Sequence, residues 1–578
     1  MDDGNSHKRN KRIASSLKEA REDWEAHYDL LEQHFLPRRG AFSSDPASKL
    51  KTDRGKLLNR KMVDSTPMRA LRILQSGLQA GITSPSRPWF RLQPLDPGMR
   101  ERKAVKEYLS KAEYEMRRLM DRSGLYNMLH TGYGDLGVYG TEAAIIEDKG
   151  EMDLRGLQLV PGTYWLGMSG EDRIDTLYRE FNLTINQIVG KFVYKGQRYG
   201  DPEWSLVPQR IKNLYDKGDI GKQEPLAQLI APRKDRDTRK RDAQNKPVLS
   251  QYWLKDDDRA ESQMKLLGDL GYDRSPISAS RWNVAGAEVY GSSPGMEALP
   301  DVRELMAKRR EYAELLRRVN RPPMNAHSDL RNSRFSMLPG AVNFMADPSK
   351  GLTPAMDINP NFAALSEDIS ASKDAVWSAM YADLFMMISQ LDRRQITATE
   401  IDERREEKLI ALGPVLERLH FEKLKPLVER LFERVVESGV LGPPPEELAN
   451  TELEIDFVSM LAQAQKAVAT GSMERLAGFI GNLSAVKPEV LDKLNSDQTV
   501  DEYADMLGVP PGVIMSDDEV EGIRSARQQQ QAAMQAAETA KVGAEAVNQG
   551  AQAAKVLSEA DSPRQAAPGD VLNKTGLG

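Results

Sequence analysis

The residues of this chain whose types could do chemistry are few, and the most informative sit at a joint. Within 374–437 two long stretches with apolar stripes at helical spacing meet at Asp392–Ile396, with no Gly or Pro at the junction. Arg393, Arg394 and Gln395 occupy it. Two adjacent guanidiniums and an amide can donate to phosphate oxygens without reading base sequence. The same arginines could instead cap a helix or pair with Asp392 and Glu400 at a solvated surface. A polar joint between long striped helices suits a large assembly better than a catalytic pocket.

The other candidates are weaker. Gly132, Gly134 and Gly137 form a G-x-G-x-x-G. A dinucleotide site needs that pattern after a strand and opening a helix; here it follows a helix-like segment and leads into strands, so a tight turn with close backbone packing is expected. No G-x-x-x-x-G-K-[S/T] occurs, so a phosphate-binding motor loop has no support. The six histidines, His7, His27, His34, His130, His327 and His420, make no metal-ligand spacing, and His27 with His34 reads as a solvated helix face. Asp256, Asp257 and Asp258 lack a second acidic cluster and read as a solvated loop. No nucleophile–base set stands out. Catalytic sets scatter along sequences, but nothing here argues positively for an enzyme, a metal or a cofactor.

Bulk properties set the frame for these residues. At roughly 150 residues per domain, 578 residues predict three or four units. Hydrophobic residues make 40% and charged residues 29%, which allows a buried core. The net charge of −6 argues against sequence-specific DNA binding, which favours a basic domain. Cysteine is absent, which excludes disulfides and Cys-based zinc sites and fits a reducing cytosol. No apolar run is long enough to span a bilayer. MDDGNSHKRNKR lacks the apolar core of a signal peptide, so synthesis and assembly in a cytoplasm are expected.

The elements that must position the joint follow from periodicity. Helices are expected at 11–36, 67–80, 102–119, 300–319 and 362–391, the last entering the joint. Thr397 with Glu400 makes a capping box that opens the helix leaving the joint, and Pro414 and Pro426 are expected to kink it. AAIIE and LRGLQLV around Asp148-Lys149-Gly150 predict a hairpin. RIDTLYREFNL and VLSQYWL predict further strands, and Thr184 with Gln187 a capping box opening a short helix. The segment 232–246, PRKDRDTRKRDAQNK, reads as an exposed insertion. Residues 324–360 are rich in Pro, Asn, Ser and Gly, with short strands expected at FSML and AVNFM. Glu304–Lys308 and Glu314–Arg318 are i,i+4 pairs in the favourable order. Residues 451–515 read as helical, and Ser516 with Glu519 caps a last Gln- and Ala-rich helix. That helix has almost no large apolar face; beyond about 545, Ala packing in an oligomer and a disordered tail both remain open.

Six blocks, in order, resemble the podovirus-type portal family of bacteriophages, the head-to-tail connecting proteins. They are DSTPMRALRILQSGLQAGITSPSRPWFRL, GDLGVYGTEAAIIE, RIDTLYREFNLTINQIVGKF, GYDRSPISASRWNVAGAEVYGSSPGMEALPDVREL, TATEIDERREEKLIALGPVLERL and GVPPGVIMSDDEVEGIRSARQQQQ. They touch most of 12–530; the 232–246 segment and the tail match no pattern. The resemblance implies a mixed α+β, predominantly helical portal fold, with wing, stem, clip and crown regions assembled as a dodecameric ring. On that basis 1–295 would be wing, 296–320 and 362–391 paired stem helices, 321–361 clip, and 392–397 the tunnel loop with Arg393, Arg394 and Gln395 facing the channel. Residues 398–500 would carry the long kinked helix with wing and crown helices, and 501–578 a crown or barrel helix and tail. Implied partners are non-specific double-stranded DNA, the terminase large subunit, a tail adaptor, and scaffolding and major capsid proteins, with no membrane. The implied place is the portal vertex of a virion assembled in the host cytoplasm. A tail adaptor or internal ejection protein is the nearer rival, and a packaging ATPase or nuclease the more distant one. Twelve copies of a −6 chain would carry roughly −72, a wall along which DNA slides rather than sticks.

Overall fold

The structure is a computed structural model. The structure describes residues 3–42, 62–390 and 411–458, apart from short internal stretches, and beyond them chiefly 478–483, 495–507 and 520–535. Residues 1–499 with 506–508 form one compact unit, and 500–505 with 509–578 a second.

The first unit begins with two helices where the periodicity suggests one, α1 (Asp3–Glu19) and α2 (Glu22–Phe35). The break has a cause. Arg21 is buried, donates to the carbonyls of Tyr164 and Gly162, and lies 4.4 Å over the Trp165 ring. The chain turns there because a desolvated guanidinium needs several partners. After α3 (Thr66–Ile82) come β1 (Arg91–Pro94), α4 (Lys103–Arg122) and α5 (Leu125–Tyr139), which build the main core through Leu71, Leu74, Leu109, Met116, Leu129 and Tyr133.

Two antiparallel sheets follow. One has the order β3-β2-β9, from β2 (Thr141–Lys149), β3 (Asp153–Gln158) and β9 (Ile277–Arg281); the β2–β3 hairpin turns at Gly150, φ 70°. The other runs β4 (Tyr164–Met168), β5 (Ile174–Thr184), β6 (Gln223–Pro232), β7 (Val248–Leu254), β8 (Gly268–Tyr272) in that spatial order. Alternate residues of this sheet serve two cores. Ala227, Leu229, Leu249 and Trp253 pack with Ala14 of α1, while Leu226, Tyr252 and Leu254 pack with α6 (Ile185–Ile188) and α7 (Gln209–Asp216). The expected capping box is complete: the Gln187 N–H donates to Thr184 Oγ1 at 3.3 Å, and the Thr184 N–H to Gln187 Oε1 at 2.9 Å. The segment 232–246 is mostly an exposed β6–β7 loop, as expected.

Several boundaries differ from the sequence expectation. α8 (Pro294–Asn320) starts before Pro300, because the Ser293 hydroxyl accepts the Met296 N–H at 3.0 Å and Pro294 opens the helix. The stretch expected as one helix to 391 is α9 (Phe362–Ala379) and α10 (Ala382–Gln390), split where Tyr381 takes φ 54° with its ring 6.0 Å from that of Trp282. Pro414 sits in the first turn of α11 (Gly413–Leu419), where the missing N–H has no intrahelical role. A π turn, His420–Leu424, runs from α11 into α12 (Lys425–Glu437) with helical backbone on both sides, and Pro426 stands directly after it, where the widened turn accommodates the ring. In 321–361 the expected strands do not form among the described residues. The Asn343 side chain brackets the Ser336 backbone, accepting its N–H at 2.9 Å and donating to its carbonyl at 2.8 Å, and so closes a loop. The ladder there is instead β10 (Met324–Asn325) with β11 (Thr353–Pro354). Within the expected helical stretch 451–515, β12 (Leu453–Asp456) pairs with β1, and α13 (Ser496–Leu507) follows.

In the second unit, residues 520–535 are helical and every side chain from 521 to 535 is exposed. The pairs Thr397 with Glu400 and Ser516 with Glu519 lie outside the described residues.

Candidate functional site

The joint that carries Arg393, Arg394 and Gln395 lies outside the described residues, together with the rest of 391–410. What holds its two ends is described. On the entering side Met380, Ala382, Leu384 and Phe385 are buried in the main core, and Phe385 packs against Gly77 of α3 so closely that a Cβ there would overlap its ring. On the leaving side Leu412, Val415, Leu416 and Leu419 enter the same core. The joint is therefore tethered at both ends to one apolar body.

The leaving side is fixed further by buried charge. Lys423, in the π turn, is fully buried and donates from Nζ to Glu142 of β2 at 2.5 Å. Glu142 also accepts from Ser280 Oγ at 2.7 Å and Gln158 Nε2 at 3.0 Å. Gln158 reaches Asp135 at 3.3 Å, and Arg39 clamps Asp135 through Nε and Nη2 at 2.9 and 2.7 Å. Burial pushes the Asp135 carboxyl up, against the opposing pull of Arg39. Beside this network Glu422 holds the Arg281 guanidinium at 2.7 Å, and Arg430 meets Asp148 at 3.1 Å. The π turn also brings His420 flat onto Phe457, 4.2 Å between ring centres and 5° between planes, and burial lowers its pKa to about 4.

This network accounts for the first glycine of the motif, and neighbouring side chains of α3 for the other two. Gly132, Gly134 and Gly137 are neither a phosphate loop nor a turn; all three lie within α5. A Cβ on Gly132 would come within 2.9 Å of both Glu142 and Lys423, one on Gly134 within 3.1 Å of Gln75, and one on Gly137 within 2.8 Å of Leu74. The expected close packing is present, through helix surfaces. The Asp256–Asp258 stretch is also not simply solvated. Arg259 pairs with Asp257 at 2.6 Å, and although burial opposes it, this pairing holds the Asp257 carboxyl below the usual range. No group of three or more metal-ligating side chains exists among the described residues, and no described helix is long and apolar enough to cross a membrane.

A different chemistry marks α8 and α9. They pack on each other, with Lys308 bonded to Glu304 at 2.5 Å, Asp368 at 2.8 Å and Ser372 at 3.0 Å, and Tyr312 edge-on to Phe362 at 6.1 Å. At their base Asp64 takes Arg309 at 3.0 Å; burial alone would raise its carboxyl pKa, but the Thr66 hydroxyl and N–H with Lys373 and Arg309 lower it. Beyond Met306 the side chains of α8 are half-buried or exposed, as are most in the first half of α9. The segment between them leaves Met337, Leu338, Val342, Phe344 and Met356 in water, Phe344 at 95% exposure.

Sequence reasoning missed the Lys423–Glu142 pair. The signal was present: Lys423 falls four residues after Leu419 on the apolar stripe of 412–435, a position a lysine occupies only when paired.

Two phage proteins align with nearly the whole chain. A probable portal protein of Bordetella phage BPP-1 is 38% identical over 557 residues, 96% of each chain. The portal protein of Salmonella phage epsilon15 is 37% identical over 566 residues, 97% of each. A chain of a gene transfer agent virion aligns over 78% of this chain and 91% of its own at 11% identity, with a TM-score of 0.33, too loose to argue the fold. Residues 7–515 match the family described as bacteriophage head to tail connecting protein, and with end-to-end relatives at this identity the chain belongs to that family.

Proposed function

We propose that this protein is the portal of a short-tailed phage, a ring at one capsid vertex through which DNA is packaged and later released. The observation that carries the reading is the near-complete match to two phage portal proteins together with the connecting-protein family. The ring is taken as a dodecamer. Its clip, 321–361, docks the terminase large subunit during packaging and a tail adaptor afterwards, and scaffolding and major capsid proteins surround it in a virion assembled in the host cytoplasm. The physical support is that the segment between α8 and α9 leaves large apolar side chains exposed and the outer half of α8 leaves its own half-buried, and a closed ring needs unlike faces on each subunit that meet those of its neighbours.

The action is passive. The wing comprises 1–295 and part of 398–500, the stem 296–320 and 362–391, and the crown 501–578. The tunnel loop, 392–397, turns Arg393, Arg394 and Gln395 toward the DNA, where guanidiniums contact phosphates without reading sequence. A ring of charge near −72 repels DNA overall, so that the arginines act as a local guide. ATP hydrolysis belongs to a separate motor, and no cofactor takes part.

The test is native mass measurement and negative-stain averaging of the purified protein. A ring of about twelve 64.7 kDa subunits around an open axial hole is the expected result. A monomer or dimer under every assembly condition would sink the reading.

A further inference from the structure

We propose that α1 and the β6–β7 loop together form a binding surface for the phosphate backbone of duplex DNA, separate from any channel. The chain is acidic overall, yet 232–246 holds seven Lys and Arg against three Asp, and α1 adds Lys8, Arg9, Lys11 and Arg12. The fold brings the two together. α1 buries His7, Asn10 and Ala14 toward the five-stranded sheet, and the Asn10 amide donates to Gln251 of β7 at 2.7 Å. Arg9 lies 3.8 Å from Asp235 in the loop.

The outer face of α1 then carries Lys8, Lys11 and Arg12 at i, i+3 and i+4, neighbouring positions on a helix surface, all exposed. The loop is pinned at its two feet by Arg233 on Asp269 at 2.7 Å and Lys246 on Asp273 at 2.8 Å. Its acids are partly taken up by its own amides: Asp237 accepts the Arg239 N–H at 3.1 Å, and Asp242 the Asn245 side-chain amide at 2.7 Å. Lys234, Arg236, Arg239, Lys240 and Arg241 are left exposed, and neither they nor Lys8, Lys11 and Arg12 form an ion pair among the described residues.

The character of the surface selects the partner. Residues 233–246 contain no apolar side chain larger than Ala243. A protein partner would be anchored by buried aromatic or large apolar groups, which the patch does not offer. A duplex presents a dense, regular row of phosphates that needs only cations and fork donors.

The test uses the full-length protein and a closed circular duplex, which has no end to thread through an axial hole. One variant is R239E/K240E/R241E in the loop, the other K8E/K11E/R12E on the helix. Binding of the circle by the unaltered protein is expected to fall linearly with salt on a log–log plot. Each variant should weaken it at least about tenfold at low salt and lower the slope by about 2.7, for three lost phosphate contacts. No binding of the circle, equal binding by either variant, or binding of linear DNA alone would overturn the proposal, the last leaving the channel reading intact. A variant that keeps its circular-dichroism spectrum but no longer assembles would also overturn it, marking the patch as a contact between subunits. Binding of poly-glutamate in preference to the duplex would assign the surface to an acidic protein instead.

Discussion

The π turn with its surrounding strands and the outer halves of α8 and α9 treat their unsatisfied groups in opposite ways. Around Lys423 every buried charge meets another: Lys423 with Glu142, Arg281 with Glu422, Arg39 with Asp135. The charges of that region are matched within one chain. Through 321–361 large apolar side chains stand in water, those of α8 beyond Met306 are only half-buried, and pairs such as Glu314 with Arg318 lie at the surface. The contrast teaches where assembly free energy must come from. Buried, matched charge fixes geometry but adds little net stability, whereas apolar surface left exposed gains stability only when a neighbour covers it.

The comparison can be broken most sharply at its buried end. Lys423→Met strands the Glu142 carboxylate and should cost about 3–5 kcal/mol in urea unfolding. Adding Glu142→Gln should recover more than half, because the amide can still bond Ser280 and Gln158; a double variant no better than the single one would show that the site needs the charges themselves.

Acid should loosen the same region. His420 has a folded pKa of about 4, below its value near 6.5 in an unfolded chain. The unfolded state binds the proton first, so the contribution is complete above about 6.5 and is lost as pH falls toward 4, at most about 3 kcal/mol. His420→Phe keeps the stack on Phe457 and should flatten that part of the pH–stability curve. An unchanged slope would remove His420 from the explanation.

Gly132→Ala pushes a methyl against the Glu142–Lys423 pair and should cost about 1–3 kcal/mol by thermal unfolding. Gly150→Ala, at a turn whose added Cβ would meet nothing within 4 Å but whose φ is 70°, should cost less, about 1–2 kcal/mol. If the two costs reversed, close packing would not be what Gly132 serves.

The smallest effect on one chain, and the sharpest contrast, belongs to Phe344→Ser. Unfolding of the unassembled chain should shift by no more than about 0.5 kcal/mol, while the yield of assembled rings falls. Equal loss of both would mean that Phe344 is buried within its own chain.

Much of this arrangement was legible from residues. Local signals read true where local physics decides: the Thr184–Gln187 box, the hairpin at Gly150, and the 3.6-residue stripes of α3, α4 and α8. They failed where a distant partner took over. α1 and α2 part because Arg21 reaches carbonyls more than 140 residues away, and β12 forms because β1 offers an edge. The glycines of α5 were visible, but what they make room for was not, since Glu142 and Lys423 are 281 positions apart.

By itself the sequence determined the fold class, the family, and a charged loop that no core could absorb. Those follow from composition, periodicity and ordered motifs, which belong to short stretches of chain. The tertiary structure alone decided which charges are buried and matched, where long helices break, and that the basic loop and the first helix share one surface. Such contacts join residues hundreds of positions apart, and their free energies depend on desolvation and packing that exist only once the chain has folded.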